Sequence, residues 1–337
     1  MSVIRTPWGL LPDGRGVERV EIGSDVVRLG VLTWGATVQS LHTRDRAGRE
    51  RDVVLGFADL AGYLGDHPWL GSTIGRFANR IAHGRFSLDG RTHQVPVNDP
   101  PHALHGGPAG WSHQLWQVVA TDDRPDGGSV ELALLSPDGE MGFPGEVRVT
   151  TRFSVEGGVV RQESHATTSA ATVLNMTNHA YFNLHGDPAR TIEDHVLRID
   201  AEHYLPVDET AIPLPGKPAA VAGTPYDFRS STAVGTGYDH TWVLAGAGMR
   251  TAAVAHSPAT GVRLTVRTTE PGVQLYTGNF LDGSLIGKGG TPIARHGALC
   301  LETQHFPDSP NRPDYPSTVL RPAEQFSTIT EWAFDTV

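Results

Sequence analysis

The stretch VRVTTRFSVEGGVV, residues 147–160, decides the fold class. Val147, Val149, Phe153 and Val155 recur with a period of two, as in a strand that buries one face. Gly157 and Gly158 then separate two apolar flanks, which is the usual signal of a β-hairpin. The stretch therefore predicts two antiparallel strands joined by a tight turn.

The same pattern continues on both sides of this hairpin. Strand-like segments occupy 17–22, 26–34, 116–121, 130–135, 261–268 and 325–334, and further hairpin turns are predicted in 88–95 and 125–130. No long segment shows the 3.6-residue period of a helix, and only FADLAGYL (57–64) suggests a short one. The regular spacing of strands and turns predicts an all-β fold, an antiparallel β-sandwich or barrel.

The strand pattern runs through almost the whole length, and we expect residues 1–337 to form one domain. The Pro-rich segment 205–228 could be an interdomain linker. Because similar strands precede and follow it, we interpret it as a long loop lying over the sheet.

Composition limits the possible functions. A net charge of −10 argues against nucleic acid or an anionic membrane surface as the main partner. The single cysteine, Cys300, excludes an intramolecular disulfide framework. The N-terminus lacks the pattern of a signal peptide, and no run of about 18 apolar residues predicts a membrane span. We expect a cytoplasmic protein.

Three polar clusters between glycines or prolines are candidates for a site. GRFANRIAHGRF (75–86) carries Arg76, Asn79 and Arg80, whose amide and guanidinium groups suit sugar hydroxyls or a carboxylate. PPHALHGG (100–107) carries His102 and His105. GTGYDHTWVL (235–244) carries Asp239 and His240 at the entrance to an apolar strand. Each cluster alone also fits a solvated turn.

Two further stretches place polar groups where a core is expected. LNMTNHAYFNLHG (174–186) interleaves His179 and three asparagines with apolar and aromatic residues, including Tyr181. GALCLETQHFPDSPN (297–311) extends an apolar strand directly into Glu302. A carboxylate on a core-like strand is costly unless it is hydrogen-bonded or functional, and perturbed carboxylates concentrate at active sites.

Several other kinds of site lack their motifs. The sequence contains no HExxH, HxH or CxxC metal motif, no GxSxG nucleophile motif and no phosphate-binding glycine loop. What remains is a carboxylate, histidines, an arginine, amides and aromatics. This combination suits acid–base chemistry on a neutral polyol, with aromatic surfaces against the C–H face of a sugar.

These stretches together resemble the aldose 1-epimerases, or galactose mutarotases. The resemblance rests on GRFANRIAHGRF, ALHGG, NMTNHAYFNLHG, GYDHTWVL, EPGVQLYTGNFLDG and ALCLETQHFPDSPNRP, in the order of the family, and extends from about residue 75 to 321. It implies a large antiparallel β-sandwich, the galactose mutarotase-like supersandwich. It also implies interconversion of the α and β anomers of hexoses such as galactose and glucose, without a metal or nucleotide cofactor.

The resemblance also implies individual roles. His179 matches the catalytic acid and Glu302 the catalytic base. Substrate-contacting positions correspond to the following residues: Asn79, Arg80, His105, Asp239, Gln274 and, as part of the same wall, Tyr181. For the reaction to run near neutral pH, we expect His179 to keep its proton and Glu302 to be ionised.

Other functions stay open from sequence alone. A non-catalytic carbohydrate-binding module would not need both Glu302 and His179. A glycoside hydrolase normally uses two carboxylates, and Asp239 could be the second. A hexose 6-phosphate epimerase would need extra cationic residues, against which the acidic balance argues. The small-molecule partner is expected to be a sugar, and the chain to be a monomer or homodimer.

Overall fold

The computed structural model describes residues 3–337, and most of their regular structure is β-strand. The strands, numbered in chain order, are β1 (Ile4–Leu10), β2 (Gly16–Gly23), β3 (Arg28–Leu32), β4 (Thr37–Arg44), β5 (Glu50–Asp52), β6 (Thr73–Ile74), β7 (Arg80–Ile81), β8 (Arg85–Leu88), β9 (Arg91–Gln94), β10 (Ala103–Leu104), β11 (Gln117–Arg124), β12 (Gly127–Ser136), β13 (Val147–Glu156), β14 (Val159–Thr168), β15 (Thr172–Val173), β16 (Thr177–Asn178), β17 (Tyr181–Phe182), β18 (Val196–Ile199), β19 (His203–Leu205), β20 (Ala219–Ala220), β21 (Thr232–Ala233), β22 (Asp239–Val243), β23 (Arg250–His256), β24 (Val262–Thr268), β25 (Gly272–Tyr276), β26 (Leu299–Gln304), β27 (Val319–Leu320) and β28 (Phe326–Thr336).

Helical structure in residues 3–337 is limited to short pieces. The α-helix α1 (Leu60–Leu64) lies inside the predicted segment 57–64 and is capped by the Asp59 side chain, which accepts from the Gly62 N–H. Single 3₁₀ turns occupy Ala82–Gly84, Trp111–His113, Glu140–Gly142, Lys288–Gly290 and Ser309–Asn311. The prediction of few short helices is confirmed.

Three antiparallel sheets organise the chain. Strands β1–β5 form a five-stranded meander. The nine-stranded sheet has the order β11-β12-β13-β14-β28-β24-β23-β18-β21, and the six-stranded sheet has the order β17-β26-β25-β22-β19-β20. The predicted strand segments fall within these sheets, so the all-β class is confirmed.

The hairpin of residues 147–160 forms as predicted. Glu156 of β13 pairs with Val159 of β14, and Gly157 in the turn has a φ of 53°. Burial alternates along both strands, because the pleat directs successive side chains to opposite faces. The buried side chains of this hairpin belong to the main hydrophobic core.

One core joins the three sheets. It contains Leu132 and Trp332 from the nine-stranded sheet, Trp242 and Leu301 from the six-stranded sheet, and Val38 from the five-stranded sheet. Side chains from the inner faces therefore pack together, as in a sandwich. The core fixes the six-stranded sheet, which carries four residues of the candidate site: Tyr181, Asp239, Gln274 and Glu302.

The Pro-rich segment 205–228 is mostly irregular and follows the edge of the six-stranded sheet. Within it, Ala219 and Ala220 pair with β19, and Phe228 is buried in the core. None of the helices in residues 3–337 is long and apolar enough to cross a bilayer.

Candidate active site

Neighbouring strands of the six-stranded sheet position the acidic part of the site. Glu302 of β26 lies opposite Gln274 of β25, which lies opposite Thr241 of β22. The Thr241 hydroxyl donates to Gln274 Oε1, and Gln274 Nε2 donates to Asp239 Oδ1 at 2.6 Å. Gln274 is thus bonded to Asp239 and is absent from the cavity lining, although the resemblance implied substrate contact.

His179 lies between β16 and β17, facing Glu302. Its backbone N–H donates to Ser72 O, and its carbonyl accepts from the Gly71 N–H, both at 2.9 Å. These bonds place His179 Nε2 3.7 Å from Glu302 Oε1. The imidazole stacks on Tyr181, with ring centroids 4.9 Å apart. Both members of the pair are almost completely buried, at 5% exposure for His179 and 2% for Glu302.

A second histidine completes this group. His105 packs edge-on against His179, with centroids 5.1 Å apart. Its Nδ1 accepts from the Asn79 backbone N–H at 3.2 Å, so the neutral ring carries its proton on Nε2. Asn79 and His105 both adopt left-handed backbone conformations, with φ of 64° and 52°. Such conformations in non-glycine residues concentrate at functional sites.

Arg80 lies between two aspartates of the site, Asp99 and Asp239. Its Nε donates to Asp99 Oδ2 at 2.8 Å, and its Nη1 lies 3.7 Å from Asp239 Oδ2. The guanidinium is therefore held between two carboxylates, one of which is also bonded to Gln274. This arrangement fixes the orientation of Arg80 without a ligand.

These residues line one cavity of about 570 Å³, within the usual size range of small-molecule sites. Seven of the eight residues predicted from the sequence line it: Asn79, Arg80, His105, His179, Tyr181, Asp239 and Glu302. The cavity combines the buried pair with polar and aromatic walls. Such a site can bind a small polyol and exchange protons with it.

Sequence reasoning missed several lining residues, among them Trp69, Asp99, Tyr276 and Phe280. Trp69 packs against His105, with centroids 4.6 Å apart, and its backbone φ is 53°. Asp99 precedes the stretch PPHALHGG, which contains His105, and Trp69 shortly precedes Asn79 in the chain. Their closeness in the chain to the stretches that carry Asn79 and His105 was thus the one sequence signal that could have indicated Trp69 and Asp99.

Other candidates from the sequence have structural contacts instead. Arg76 is 2% exposed and donates to Ser136 and to three further backbone carbonyls in the segment 137–145. His102 Nδ1 accepts from the His83 N–H, and its Nε2 bonds to Thr210 Oγ1. These side chains use their polar atoms inside the protein, away from the cavity lining.

The asparagines around His179 hold backbone segments together. Asn175 Nδ2 donates to the carbonyls of Ala78 and His305, and Asn178 Nδ2 donates to Gly71 O. Asn183 Nδ2 donates to three carbonyls, those of residues 187, 190 and 297. The amides of 174–186 therefore satisfy the backbone near His179, as buried polar groups require.

The protonation preferences differ from the sequence-based expectation. Burial lowers the pKa of the His179 imidazole to about 3. Burial, followed by the charge of Asp239, raises the pKa of the Glu302 carboxyl well above its usual value. At 3.7 Å the two groups are too far apart for a hydrogen bond. Desolvation therefore outweighs their attraction, and the protein by itself favours a neutral imidazole and a protonated carboxyl.

Two groups in residues 3–337 bring possible metal-ligand atoms within 4.8 Å of one another: His105, His179 and Glu302, and His185, Asp194 and His195. In the first group, the proton on His105 Nε2 makes that atom a donor rather than a ligand. In the second group, His195 Nε2 accepts from the Leu184 N–H at 2.9 Å, which fixes its proton on Nδ1. Both arrangements favour hydrogen bonding over metal coordination.

Comparison with known proteins identifies the family of this fold and site. The family model described as aldose 1-epimerase matches residues 18–332. The chain belongs to the aldose 1-epimerase family. The family resemblance of the sequence is thereby confirmed.

Relatives of the chain match it over nearly their full length. Galactose mutarotase from Homo sapiens is 44% identical and is aligned over 99% of this chain and 98% of its own. Aldose 1-epimerase from Escherichia coli (strain K12) is 37% identical, over 96% of this chain and 97% of its own. A chain of this family is an enzyme that epimerises sugars.

Solved structures of similar proteins share the fold. An aldose epimerase homologue from C. elegans superposes with a TM-score of 0.88 and 30% sequence identity, covering 95% of this chain and 99% of its own. Galactose 1-epimerase from Lactobacillus acidophilus superposes with a TM-score of 0.86 and 27% identity, covering 99% of each chain. The galactose mutarotase-like sandwich predicted for this chain is confirmed.

Proposed function

We propose that the protein interconverts the α and β anomers of free hexoses such as galactose and glucose, with Glu302 as base and His179 as acid. The observation that carries this assignment is the buried pair, whose Nε2 and Oε1 atoms lie 3.7 Å apart beside a cavity of about 570 Å³. An acid and a base this close can serve the two oxygens attached to C1 of one sugar.

The reaction moves two protons. The Glu302 carboxylate removes the proton of the anomeric hydroxyl, and the His179 imidazolium protonates the ring oxygen as the C1–O5 bond breaks. The open-chain aldehyde then rotates about C1–C2. In closure, His179 takes a proton back from the C5 hydroxyl, and Glu302 returns one to the new anomeric oxygen on the other face.

The pKa shifts of the pair suit the intermediate in this cycle. After ring opening, Glu302 is protonated and His179 is neutral, which is the state that burial favours. The ion pair that starts the cycle, an imidazolium and a carboxylate, holds the same total number of protons as this neutral pair, so the two states differ only in which group carries the proton. Sugar hydroxyls that donate to Glu302 stabilise its carboxylate and shift the pair toward this starting state. Glu302 Oε2, buried and without a protein partner, is an acceptor for such a hydroxyl.

The remaining residues orient the sugar. Arg80 and Asp239, fixed by their mutual contact and by Gln274, offer a donor and an acceptor to the hydroxyls. His105 offers its Nε2–H to an oxygen near C1, because its Nδ1 is already occupied by Asn79. Groups fixed before binding lower the entropy cost of reaching the reactive geometry.

Charge favours free sugars over sugar phosphates. Arg80 is the one arginine or lysine among the lining residues, and Asp99 already bonds to it at 2.8 Å. A phosphate needs uncompensated cationic donors. Asp239, engaged by Gln274 and Arg80, has a positioning role here rather than that of the second carboxylate of a glycoside hydrolase.

Polarimetry tests the proposal. Freshly dissolved α-D-galactose and α-D-glucose are followed to anomeric equilibrium with and without the protein, with galactose 6-phosphate as a comparison. We expect the protein to accelerate the relaxation of both free sugars and to leave the relaxation rate of the phosphate unchanged. An unchanged relaxation for both free sugars would refute the proposed reaction, and faster relaxation of the phosphate would refute the charge argument.

A further inference from the structure

One loop supplies a whole wall of the sugar cavity. Residues 277–298, which we call the wall loop, connect β25 to β26. The loop is largely irregular, with a single 3₁₀ turn at Lys288–Gly290. The shape of the cavity therefore depends on what holds this loop in place. It contributes six of the lining residues: Phe280, Leu281, Asp282, Ser284, Leu285 and Ile293.

The two ends of the wall loop are held by neighbouring structure. Near its start, the Phe280 N–H donates to the Tyr276 hydroxyl at 2.9 Å. Near its end, the Ala294 N–H donates to Pro188 O at 3.1 Å. The middle of the loop, residues 282–291, lies between these two attachments and is held in a different way.

Lys288 ties the middle of the wall loop to β4, β5 and the residues that follow them. Its backbone N–H donates to Gly56 O at 3.0 Å. Its ammonium donates to Gln39 O at 2.7 Å and pairs with Asp52 Oδ2 at 2.6 Å. Within residues 3–337, every hydrogen bond that joins 282–291 to a residue outside the wall loop involves Lys288.

A second cavity leaves the wall loop room to move. It has a volume of about 110 Å³ and is lined by Asp52, Gly56, Lys288 and Ile293, among others. Ile293 lines the sugar cavity as well, so this side chain borders both cavities. Leu281 and Ile293 are buried, at 2% and 1% exposure, but apolar burial is non-directional and does not fix the middle of the loop. The directional contacts there are those of Lys288.

We propose that Lys288 is a positioning residue for the sugar site, which holds the wall loop through Gln39 and Asp52 in the conformation that receives the sugar. This inference rests on the proposed function and adds a residue that is absent from the lining of the sugar cavity. A loop that is in this conformation only part of the time lowers the apparent affinity for the sugar by that fraction. A sugar that does bind still meets Glu302 and His179. Loss of the tie therefore raises KM and spares kcat.

The test replaces Lys288 with methionine, which keeps an unbranched side chain and removes the ammonium. We expect Lys288→Met to raise KM for galactose by roughly tenfold and to leave kcat within about threefold of wild type, in steady-state polarimetry. Asp52→Asn leaves the bond from the ammonium to Gln39 O in place and should raise KM by about threefold. Because both changes break one pair, the double variant should raise KM no further than Lys288→Met alone.

A matched control separates this role from a general loss of stability. The Asp45 side chain is fully buried and pairs with Arg49 and Arg51, in the connection between β4 and β5. It lines neither cavity. Asp45→Asn weakens these contacts, so it should lower Tm while KM stays within about twofold of wild type.

Proteolysis reports on the wall loop itself and needs no activity. Phe280 is 79% exposed, and chymotrypsin cleaves after phenylalanine once the surrounding backbone can open. Cleavage of this kind follows the population of the open form. We expect Lys288→Met to be cut after Phe280 roughly fivefold faster than wild type, and Asp45→Asn at the wild-type rate, with the cut identified by mass spectrometry.

The outcomes are distinguishable. An unchanged KM in Lys288→Met, or a rise in KM that Asp45→Asn reproduces, overturns this inference and keeps the proposed function. If Lys288→Met does not fold, Asp52→Asn decides, and an unchanged KM in that variant overturns the inference. If wild type does not accelerate the relaxation of galactose, the proposed function is overturned and the role of Lys288 in sugar binding with it. An unchanged rate of cleavage after Phe280 in Lys288→Met overturns the tie, whatever the activity.

Discussion

Replacing Glu302 with glutamine should have opposite effects on catalysis and on stability: it should lower kcat without lowering Tm. The amide keeps the shape of the side chain but cannot accept the anomeric proton. General acid–base steps of this kind contribute about 10²- to 10⁴-fold in rate, so Glu302→Gln should lower kcat by that factor, which is roughly 3–5 kcal/mol in activation free energy. The assay is polarimetry of α-D-galactose.

The same substitution should not destabilise the protein. Burial raises the folded-state pKa of Glu302, so its contribution to stability is fully present below the unfolded-state pKa of about 4.5 and is lost as pH rises toward the folded-state pKa. Glutamine does not titrate. Above about pH 4.5, wild type therefore loses about 1.4 kcal/mol per pH unit relative to the variant, until the folded-state pKa is reached. At about pH 5.5, Glu302→Gln should have the higher Tm, by about 2 °C or more.

Glu270 offers a matched control. It is also buried, at 3% exposure, but its Oε2 pairs with His305 Nδ1 at 2.7 Å, and it is absent from the cavity lining. Glu270→Gln weakens this buried hydrogen bond and should lower Tm while kcat stays within about threefold of wild type. The assignment of the base would be refuted if Glu302→Gln kept a kcat within about threefold of wild type. A parallel loss of Tm and activity in Glu302→Gln would refute the argument from burial.

Further predictions follow from other contacts. Asp99→Asn removes one of the two carboxylates that hold Arg80 and should raise KM for galactose by about tenfold, with a smaller change in kcat, in steady-state polarimetry. Arg76→Met leaves the buried carbonyls of segment 136–145 without their donor and should cost about 3 kcal/mol or more in urea unfolding. Burial lowers the pKa of His67 to about 4 and that of His179 to about 3, so the unfolded chain binds their protons first as pH falls. The free energy of unfolding should therefore decrease below about pH 6.5, by about 1.4 kcal/mol per pH unit for each group, and thermal melts should show a lower Tm. Dialysis against a chelator should leave the polarimetric rate unchanged, because His105 Nε2 is a donor; a loss restored by zinc would contradict this.

The local pattern of apolar residues and glycines was sufficient to predict the strands and their turns. The alternation in 147–155 and the glycine pair after it specify a strand and a tight turn, because both depend on neighbouring residues only. On β26 the alternation of side chains separates two faces: Cys300 packs with Tyr181 in a second cluster of buried residues, whereas Leu301 belongs to the main core. Of the eight site residues that the family stretches supplied, seven line the cavity.

What the sequence by itself determined was therefore the β-architecture, the family and the types of group available for chemistry. The tertiary structure alone decided which of these groups meet: Arg76 is bonded into a distant loop, Gln274 is bonded to Asp239, and Asp99 reaches Arg80. It also decided the protonation preferences of His179 and Glu302. Both depend on burial and on partners far apart in the chain, and such non-local contacts set solvation and charge only after the sheets have packed.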